Sequence, residues 1–262
     1  MQSLLRLEYE ALRRSVRDST PNNPCLSGYK SYSQFDEDGI IEHITKALSI
    51  DKGTFVEFGC GNGLENNTHL LLLKNWRGVW VDGGTGNVDF IRSQLPQNPK
   101  CLHVDNSIVT IENVVGIVET GLGALGLVNL DLLSMDLDGN DVFLLERLLQ
   151  KYKPKIIVAE YNGKIPFGVR ITVPYSANRW HVGDDFFGAS LSELIARLPD
   201  YRLVTCGLSG ANAFFVRNEL AHLLPNYDAA LLFQPARVHF IMMAVGAKPT
   251  LKFLAARLRQ EA

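Results

Sequence analysis

Short apolar runs alternate with amphipathic runs along most of this 262-residue chain. Runs such as Lys155-Ile-Ile-Val-Ala are apolar on both faces, which is typical of central strands in a parallel sheet. The runs between them carry apolar residues at helical spacing and predict helices. The alternation predicts a doubly wound α/β fold, with strands at 54–58, 78–82, 102–105, 130–136 and 155–161, and helices at about 66–75, 86–95, 111–120 and 141–151.

Both ends of the chain add elements to this alternation. Helices are predicted at 1–18 and 40–48, before the first strand of the alternating part. Near the other end, 201–206 and 212–217 predict a hairpin joined by a glycine-containing turn. We therefore expect a mostly parallel, seven-stranded Rossmann-like sheet that finishes with antiparallel strands.

One long stretch, 163–190, contains several Gly and Pro residues and has no clear periodicity. We interpret it as a lid that covers the substrate, and a disordered insertion is the alternative. The tail ends in a predicted helix at 251–259, for which a dimer or core contact is favoured over a membrane surface. The expected organisation is an N-terminal helix and linker, a main domain that includes the lid segment, and a helical tail: 1–30, 31–234 and 235–262.

Composition narrows the class of protein. The chain is 46% hydrophobic and 21% charged with a formal net charge of −2, so it has no global basic field and we expect no nucleic-acid partner. Its four cysteines form no C-x-x-C motif, which argues against a zinc knuckle and favours a reducing compartment. No apolar run is long enough to span a bilayer. We therefore predict a cytoplasmic protein without stable membrane insertion.

The run Thr-Phe-Val-Glu-Phe-Gly-Cys-Gly-Asn-Gly at 54–63 is the most informative motif. It predicts a strand that ends in a glycine turn, where Gly59 and Gly61 let a ligand approach the backbone. A dinucleotide fingerprint would need a third glycine at the position of Leu64. Glu57 would repel a pyrophosphate but would attract a cation. S-adenosylmethionine (SAM), with its sulfonium and ammonium groups, therefore fits this turn better than a phosphate-bearing coenzyme.

Acidic residues also stand at the other predicted strand ends, where ligands of open α/β sheets bind. Asp82, after the second strand, is placed to accept hydrogen bonds from the two ribose hydroxyls. Asp105 and Asn106, after the third, suit the edge of an adenine, or else cap the following helix. The fourth and fifth strands end in a second polar group made of Asp136, Asp138, Asp141, Glu160 and Asn162.

This second group supports two chemistries. Carboxylate and amide oxygens from neighbouring strand ends suit Mg²⁺, which could lower the pKa of a substrate hydroxyl. Without metal, Asp136, Asp138 or Glu160 could act as a general base whose pKa is raised by the neighbouring carboxylates. Alternatively, these acids cap the next helix or pair with a base. His181, in the 163–190 segment, is a further candidate for taking a proton from the acceptor.

Five stretches of this chain resemble the FkbM-type branch of class I SAM-dependent methyltransferases. The resemblance spans about residues 31–217, and the motifs that carry it are Ser33-Gln-Phe-Asp-Glu-Asp38, Phe55-Val-Glu-Phe-Gly-Cys-Gly-Asn-Gly63, Trp76-Arg-Gly-Val-Trp-Val-Asp-Gly83, Ser134-Met-Asp-Leu-Asp-Gly-Asn-Asp141 and Ile157-Val-Ala-Glu-Tyr-Asn162. It implies methyl transfer to an oxygen, commonly on a sugar, glycan or secondary metabolite. The second strand ends in Asp82, where relatives more often show Glu.

The resemblance also implies roles for individual residues. Glu57, Gly59 and Gly61 would face the methionine part of SAM, Asp82 the ribose and Asp105 the adenine. The full set of expected cofactor contacts is Gln34, Glu57, Gly59, Gly61, Asn62, Asp82, Gly83, Asp105, Asn106 and Asp136. A similarity to metal-dependent sugar O-methyltransferases would place Mg²⁺ near Asp136, Glu160 and Asn162.

Two other classes of function are compatible with parts of the sequence. A SAM-binding protein without catalysis, acting in a biosynthetic assembly, would need the glycine turn but not the acids at the fourth and fifth strand ends. An NAD-dependent oxidoreductase would need the glycine that is missing at 64. We expect a small-molecule or glycan acceptor as the partner, with homodimerisation as a further expectation.

Overall fold

The computed structural model of the protein describes residues 2–97, 99–177, 183–241 and 248–260. Its centre is a seven-stranded sheet in the order β3-β2-β1-β4-β5-β7-β6. The strands are β1 (Thr54–Phe58), β2 (Arg77–Asp82), β3 (Leu102–Asn106), β4 (Leu132–Met135), β5 (Ile156–Glu160), β6 (Tyr201–Cys206) and β7 (Asn212–Arg217). The first five run parallel, whereas β7 is antiparallel to β5 and to β6. The predicted fold class is thereby confirmed.

Helices lie before, between and after these strands. They are α1 (Gln2–Ser19), α2 (Glu37–Ala47), α3 (His69–Leu73), α4 (Thr85–Gln94), α5 (Val114–Ala124), α6 (Asp141–Leu149), α7 (Leu191–Arg197), α8 (Asn218–Ala221), α9 (Ala229–Leu232), α10 (Val238–Ile241) and α11 (Lys252–Gln260), with one 3₁₀ turn at Pro24–Ser27. Within the described ranges, none of the helices combines the length and apolar character needed to cross a membrane.

Strand residues alternate between two hydrophobic clusters, one on each face of the sheet. In β5, Ile156 and Val158 belong to the cluster that also contains residues of α2 and α3, whereas Ile157 and Ala159 belong to the cluster with α5 and α6. Successive side chains of a strand point to opposite faces, so a strand covered on both sides must be apolar throughout. This requirement explains why the predicted central strands agree with the observed ones to within two residues.

The tail helix α11 packs into the first of these clusters. Leu254 and Leu258 of this helix and Leu251 directly before it are buried there, while Phe253 on the same helix is 73% exposed. The spacing of three and four residues places the leucines on one face of the helix. The core contact, one of the two alternatives favoured for this tail, is thus what the structure shows.

Two helix starts differ from the sequence-based boundaries for a local physical reason. The helix predicted at 66–75 begins only at His69, because the backbone N–H groups of Asn67 and Thr68 donate to the Glu57 carboxylate. By contrast, α2 begins at Glu37, three residues before the predicted start. The carboxylate of Glu37 accepts from the backbone N–H of Phe35 and fastens the first turn.

The chain after α9 returns to the carboxyl end of β5. The Tyr161 hydroxyl donates to the backbone oxygen of Gln234 at 2.5 Å, and the backbone N–H of Ala236 donates to the oxygen of Gly163 at 3.0 Å. These bonds bring the segment after α9 against the carboxyl end of β5. The short helices α7 to α10 were not predicted from the sequence.

Candidate active site

The candidate site lies where the strand order reverses. β1 has β2 on one side and β4 on the other, so the connections leave β1 and β4 in opposite directions. Such a switch point opens a crevice at the carboxyl ends of the strands, and ligands of doubly wound sheets bind in that crevice. The glycine turn follows β1 and the acidic loop follows β4, so both motifs border the crevice.

The glycine turn needs two of its glycines for different reasons. Gly59 has φ +78°, and a Cβ built on it would lie 1.7 Å from the backbone oxygen of Asp136. The backbones after β1 and β4 therefore touch, and no side chain fits between them. Gly61 has φ +55°, but a Cβ there would meet nothing within 4 Å. The turn is closed toward β4 at Gly59 and open at Gly61, where a ligand has room.

The carboxylate of Asp82 joins the ends of β1 and β2. Its Oδ2 accepts from the backbone N–H of Gly61 at 2.8 Å, and its Oδ1 accepts from the N–H of Gly84 at 2.7 Å and from Asn87 Nδ2 at 3.1 Å. Asp82 is 9% exposed. Three donors hold the carboxylate in one orientation at the open part of the glycine turn.

Glu57 is tied into the loop that follows the turn. Its carboxylate accepts from Asn66 Nδ2 at 2.9 Å, from the backbone N–H groups of Asn67 and Thr68 at 2.7 and 3.1 Å, and from the Thr68 hydroxyl at 2.5 Å. Burial raises the pKa of Glu57 to about 7, although these four hydrogen bonds act in the opposite direction. A ligand that contacts Glu57 would therefore bind a carboxylate that already accepts four hydrogen bonds from the protein.

Asn66 and Thr68 were missed by the sequence reasoning. Asn66 is buried, and its Oδ1 has no hydrogen-bond partner among the described residues. This acceptor beside Glu57 is available to a donor group of a ligand. The run Asn-Asn-Thr directly before a helix is a signal that could have indicated their role, since such residues favour helix starts.

The remaining predicted cofactor contacts are spread around the turn. Asn106 Nδ2 donates to the backbone oxygen of Asp82 at 2.9 Å, and one oxygen of Asp105 is buried without a partner among the described residues. Gly83 lies next to the side chain of Ile108. Asn62 is exposed and accepts from the N–H of Leu64, and Gln34 is exposed with its backbone oxygen bonded to Lys30.

Three carboxylates converge after β4 and β5. One oxygen each of Asp136, Asp138 and Glu160 lies within 4.8 Å of the others. All three side chains are half-buried, and Glu160 Oε2 has no donor among the described residues. The sequence analysis named all three as candidate acids of one group, whereas its metal set had Asn162 in place of Asp138.

This carboxylate cluster, Asp136, Asp138 and Glu160, is electrostatically unfavourable in the ionised form. Burial raises the pKa of Asp136 well above its ordinary value, and repulsion by Asp141 and Asp138 raises it further. Burial also raises the pKa of Glu160, followed by repulsion from Asp136 and Asp138. Like charges held close together in a partly buried site favour a retained proton or a bound cation. Such a cluster can therefore hold a cation or retain a proton.

The loop that carries Asp136 and Asp138 is held in a strained shape. Asp138 has φ +55°, a conformation that non-glycine residues rarely adopt. The carboxylate of Asp141 stabilises the loop, because it accepts from the N–H of Leu137 at 2.7 Å and from the N–H of Gly139 at 2.9 Å. Burial raises the pKa of Asp141. Strain maintained in this way is common at functional sites.

Two other predicted site residues have different surroundings. The amide of Asn162 donates to the backbone oxygens of Asp185 and Phe187 and accepts from the N–H of Lys164. These bonds use the amide within the 163–190 segment. His181 lies outside the described residues.

Asn212 and Glu37 border the cluster and were not predicted. Asn212 stands opposite Glu160 in the β5–β7 ladder and donates to Glu37 Oε1 at 3.1 Å. Both residues are buried, and the charge of Glu37 contributes to the raised pKa of Asp136. Asn212 lies about fifty positions beyond Glu160 in the chain, so only the strand pairing brings the two together.

A cavity of about 620 Å³ opens at the other edge of the sheet, near the start of β3. It is lined by the ends of α4 and α5, with Arg92, Lys100 and His103 among its walls. None of the predicted site residues lines it. The volume of this cavity therefore does not identify it as the candidate site. The candidate site is identified by the switch point and the polar groups beside it.

Comparison with known proteins gives weak likenesses. No protein-family model matches the sequence, and no curated protein matches it. Among solved structures, the chain is similar to SAM-bound CalS10, an amino pentose methyltransferase from Micromonospora echinaspora involved in calicheamicin biosynthesis, with 13% identity, a TM-score of 0.44, and coverage of 72% of this chain and 92% of that one. It is also similar to an O-methyltransferase from Bacillus cereus in complex with SAH, with 15% identity, a TM-score of 0.41, and coverage of 68% and 79%.

A third similar structure is the bifunctional kinase-methyltransferase WbdD, with 19% identity and a TM-score of 0.38. The match covers 68% of this chain but only 37% of WbdD. At such identities and scores, nothing about the activity of this chain follows from the three likenesses.

Proposed function

We propose that this protein is a SAM-dependent methyltransferase that acts on a hydroxyl oxygen of a sugar, glycan or secondary metabolite. The observation that carries the proposal is the position of two polar groups on either side of the switch point. The glycine turn and Asp82 lie on one side, and the carboxylate cluster lies on the other. One group suits a cationic methyl donor, and the other suits the activation of an acceptor hydroxyl.

The cofactor side is rich in acceptor oxygens. Ribose hydroxyls and an ammonium group are donors, and buried oxygens of Asn66 and Asp105 have no donor among the described residues. Asp82, held by Gly61, would accept from the ribose, and Asp105 with Asn106 would border the adenine. A pyrophosphate, which brings only acceptors and negative charge, would be repelled by the same groups. SAM bound here would supply an electrophilic methyl group.

The acceptor side offers two ways of activating a hydroxyl. Asp136 or Glu160, each with a raised pKa, can take a proton as the methyl group is transferred. An all-oxygen donor set also fits a hard cation, and Asp136, Asp138 and Glu160 would hold Mg²⁺ there. The cation would stabilise the negative charge of the deprotonated hydroxyl. His181 remains a candidate for receiving the proton.

Calorimetry followed by a turnover assay tests the proposal. We expect the protein to bind SAM and S-adenosylhomocysteine, not to bind NAD(H), and to methylate a member of a panel of sugars and glycosylated metabolites. Binding of NAD(H) without SAM would instead support an oxidoreductase. SAM binding with no turnover on any acceptor, and no effect of Asp136→Asn on binding, would favour the non-catalytic alternative.

We further propose a cytoplasmic location and a homodimer. The location is supported by the four cysteines, all of which are buried and free. The exposed Phe253 on α11 supports a contact between two copies, because a large apolar side chain on the surface gains from burial. Light scattering during size-exclusion chromatography would test the assembly, with Phe253→Ser expected to shift a dimer toward monomer.

A further inference from the structure

The 163–190 segment connects β5 to α7. Its described parts approach each other near both ends of the connection, which we call the excursion. Thr172 and Ala189 form an antiparallel bridge. Beside it, the N–H of Val173 donates to the oxygen of Gly188 at 3.1 Å, and the N–H of Ser190 donates to the oxygen of Ile171 at 2.9 Å. These backbone bonds close the base of the excursion. Two asparagine side chains bind the described residues on either side of it.

Asn140 binds the first flank of the excursion, residues 173–177. Its Nδ2 donates to the backbone oxygen of Ser176 at 2.8 Å, and its Oδ1 accepts from the N–H of Ser176 at 3.2 Å. Asn140 is 7% exposed. A two-point bond between one amide and one peptide unit fixes both the position and the orientation of that unit.

Asn162 binds the second flank of the excursion, residues 183–190. Its Nδ2 donates to the backbone oxygens of Asp185 at 3.0 Å and Phe187 at 3.2 Å, and its Oδ1 accepts from the N–H of Lys164 at 3.2 Å. Asn162 is 2% exposed. The amide is used on both its donor and its acceptor side, so its orientation within the segment is fixed.

Both asparagines stand two positions after a member of the carboxylate cluster. Asn140 follows Asp138 at the end of β4, and Asn162 follows Glu160 at the end of β5. Each loop therefore carries one carboxylate of the cluster and one amide that grips the excursion. A shift of either loop would move a carboxylate and a flank of the 163–190 segment together.

We propose that Asn140 and Asn162 are positioning residues that fix the two described flanks of the 163–190 segment, 173–177 and 183–190, next to the carboxylate cluster. The inference rests on the proposed function, which makes the cluster the place where the acceptor hydroxyl is activated. In this arrangement the two flanks keep a fixed position relative to Asp138 and Glu160, so they orient the acceptor at the cluster and limit the access of water to it. Proximity and orientation of this kind contribute strongly to the rate of a bimolecular reaction.

Amide hydrogen exchange of the full-length protein tests the grip itself. In Asn140→Ala, exchange of peptides covering 173–177 should accelerate about 2- to 10-fold, as expected from the loss of a hydrogen bond. In Asn162→Ala, the same acceleration should appear in peptides covering 183–190. If an alanine variant fails to fold, the serine variant at the same position replaces it.

Asn218→Ala is the matched control. Asn218 Nδ2 donates to the backbone oxygen of Pro199 at 2.9 Å, which is the same type of bond. It follows the end of β7 and lies at the edge of the sheet opposite the carboxylate cluster. The control should leave exchange of the 163–190 segment unchanged, and all three variants should bind SAM within twofold of the wild type.

Terbium luminescence supplies a readout that a purely structural role would not change. Tb³⁺ is a hard cation that binds carboxylate oxygens, and water in its coordination shell shortens its luminescence lifetime. With Tb³⁺ at the cluster, we expect a shorter lifetime in Asn140→Ala and Asn162→Ala than in the wild type or in Asn218→Ala. Equal lifetimes would overturn the proposal that the grip shields the cluster.

The exchange experiment separates the possible failures. Unchanged exchange in both flanks, or acceleration spread over the whole sheet with loss of SAM binding, overturns the positioning role. Failure of the wild type to bind Tb³⁺ counts against a cation at the cluster, and the exchange pattern together with SAM affinity then decides the positioning role alone. Failure to bind SAM at all, with the local exchange changes present, counts against the proposed function and leaves the grip supported.

Discussion

The backbone N–H of Gly61 donates to the carboxylate of Asp82 at 2.8 Å, and this bond ties the glycine turn after β1 to the end of β2. The two residues are 21 positions apart in sequence, and the parallel pairing of the strands brings them together. Asp82 thereby has a fixed orientation before any ligand arrives. An acceptor group that is already oriented loses little conformational freedom on binding.

Removal of the Asp82 charge should weaken cofactor binding. A hydrogen bond to a charged group is worth about 1.5–3 kcal/mol, so Asp82→Asn should lower the affinity for SAM roughly 10- to 100-fold in calorimetry. Asp89→Asn is the control, because Asp89 is an exposed acid on the neighbouring helix α4. Equal affinity of Asp82→Asn and the wild type would contradict the ribose assignment.

The two glycines of the turn should respond differently to alanine. Gly59→Ala would place a Cβ 1.7 Å from the Asp136 oxygen, so we expect a loss of about 3 kcal/mol or more in the free energy of unfolding. Gly61→Ala meets no neighbour, and its positive φ should cost only about 1 kcal/mol. Urea denaturation measures both free energies. Similar losses in the two variants would contradict the description of the turn as closed at Gly59 and open at Gly61.

Gly61→Ala should nevertheless affect ligand binding. A methyl group at this position would project into the open part of the turn, where we place the cofactor. We expect a clear loss of SAM affinity in calorimetry although the protein remains folded. Wild-type affinity in this variant would place the ligand elsewhere.

Stability should depend on the ionisation of Glu57. Its pKa is about 7 in the folded protein and is near 4.5 when the chain is unfolded. The folded state therefore binds the proton more tightly, and the stability contributed by this group is present below pH 4.5 and is lost as pH rises through 7. Urea denaturation from pH 4.5 to 8 should show a steeper decline in the wild type than in Glu57→Gln, where only the other buried acids contribute. Parallel pH profiles would refute the raised pKa.

The charge of Glu57 should also couple to the cofactor. A bound cation favours the ionised carboxylate, so the affinity for SAM should increase between pH 6 and pH 8. Glu57→Gln should reduce this pH dependence. Calorimetry in two buffers of different ionisation enthalpy would detect the proton released on binding, and a proton count of zero at pH 7 would separate Glu57 from the cofactor.

A divalent cation should bind more tightly at higher pH. The pKa values of Asp136 and Glu160 are raised by burial and by the neighbouring carboxylates, so protons compete with the cation for these groups. We expect Mn²⁺ affinity, measured by electron paramagnetic resonance, to increase from pH 6 to pH 8 and to fall in Asp136→Asn and Glu160→Gln. Asp184→Asn is the control, since its exposed carboxylate accepts from the N–H of Phe186 and is not a member of the cluster. Full turnover in excess EDTA would show that activity needs no metal.

Sequence patterns located most of the fold because the strands that form the centre of the sheet are apolar on both faces. Ile156–Glu160 and Thr54–Phe58 could be recognised from composition alone. The helix Leu191–Arg197 could not, because its length is only seven residues and its start depends on the Ser190 hydroxyl, which accepts from the N–H of Glu193. Such short helices are stabilised by their surroundings rather than by their own periodicity.

The candidate site was predicted only in part. The strand ends placed Asp136 and Glu160 in one region, since parallel strands finish at the same edge of a sheet. The predicted metal set had Asn162 as its third member and Asp138 only as a candidate base, because both residues lie close to those ends. Backbone geometry decides between them: Asp138, at φ +55°, joins the cluster, and the amide of Asn162 bonds to the 163–190 segment.

The sequence by itself determined the α/β class, the order of elements along the chain and the strand end at which each acid stands, because hydrophobic periodicity and glycine placement are local properties. Only the tertiary structure decided which polar groups pair: Glu57 with the loop at 66–68, Asp82 with Gly61, and Asn212 with Glu37. The physical reason is that hydrogen bonds and pKa shifts depend on distances of a few ångströms between segments far apart in the chain. A one-dimensional pattern contains no measure of those distances.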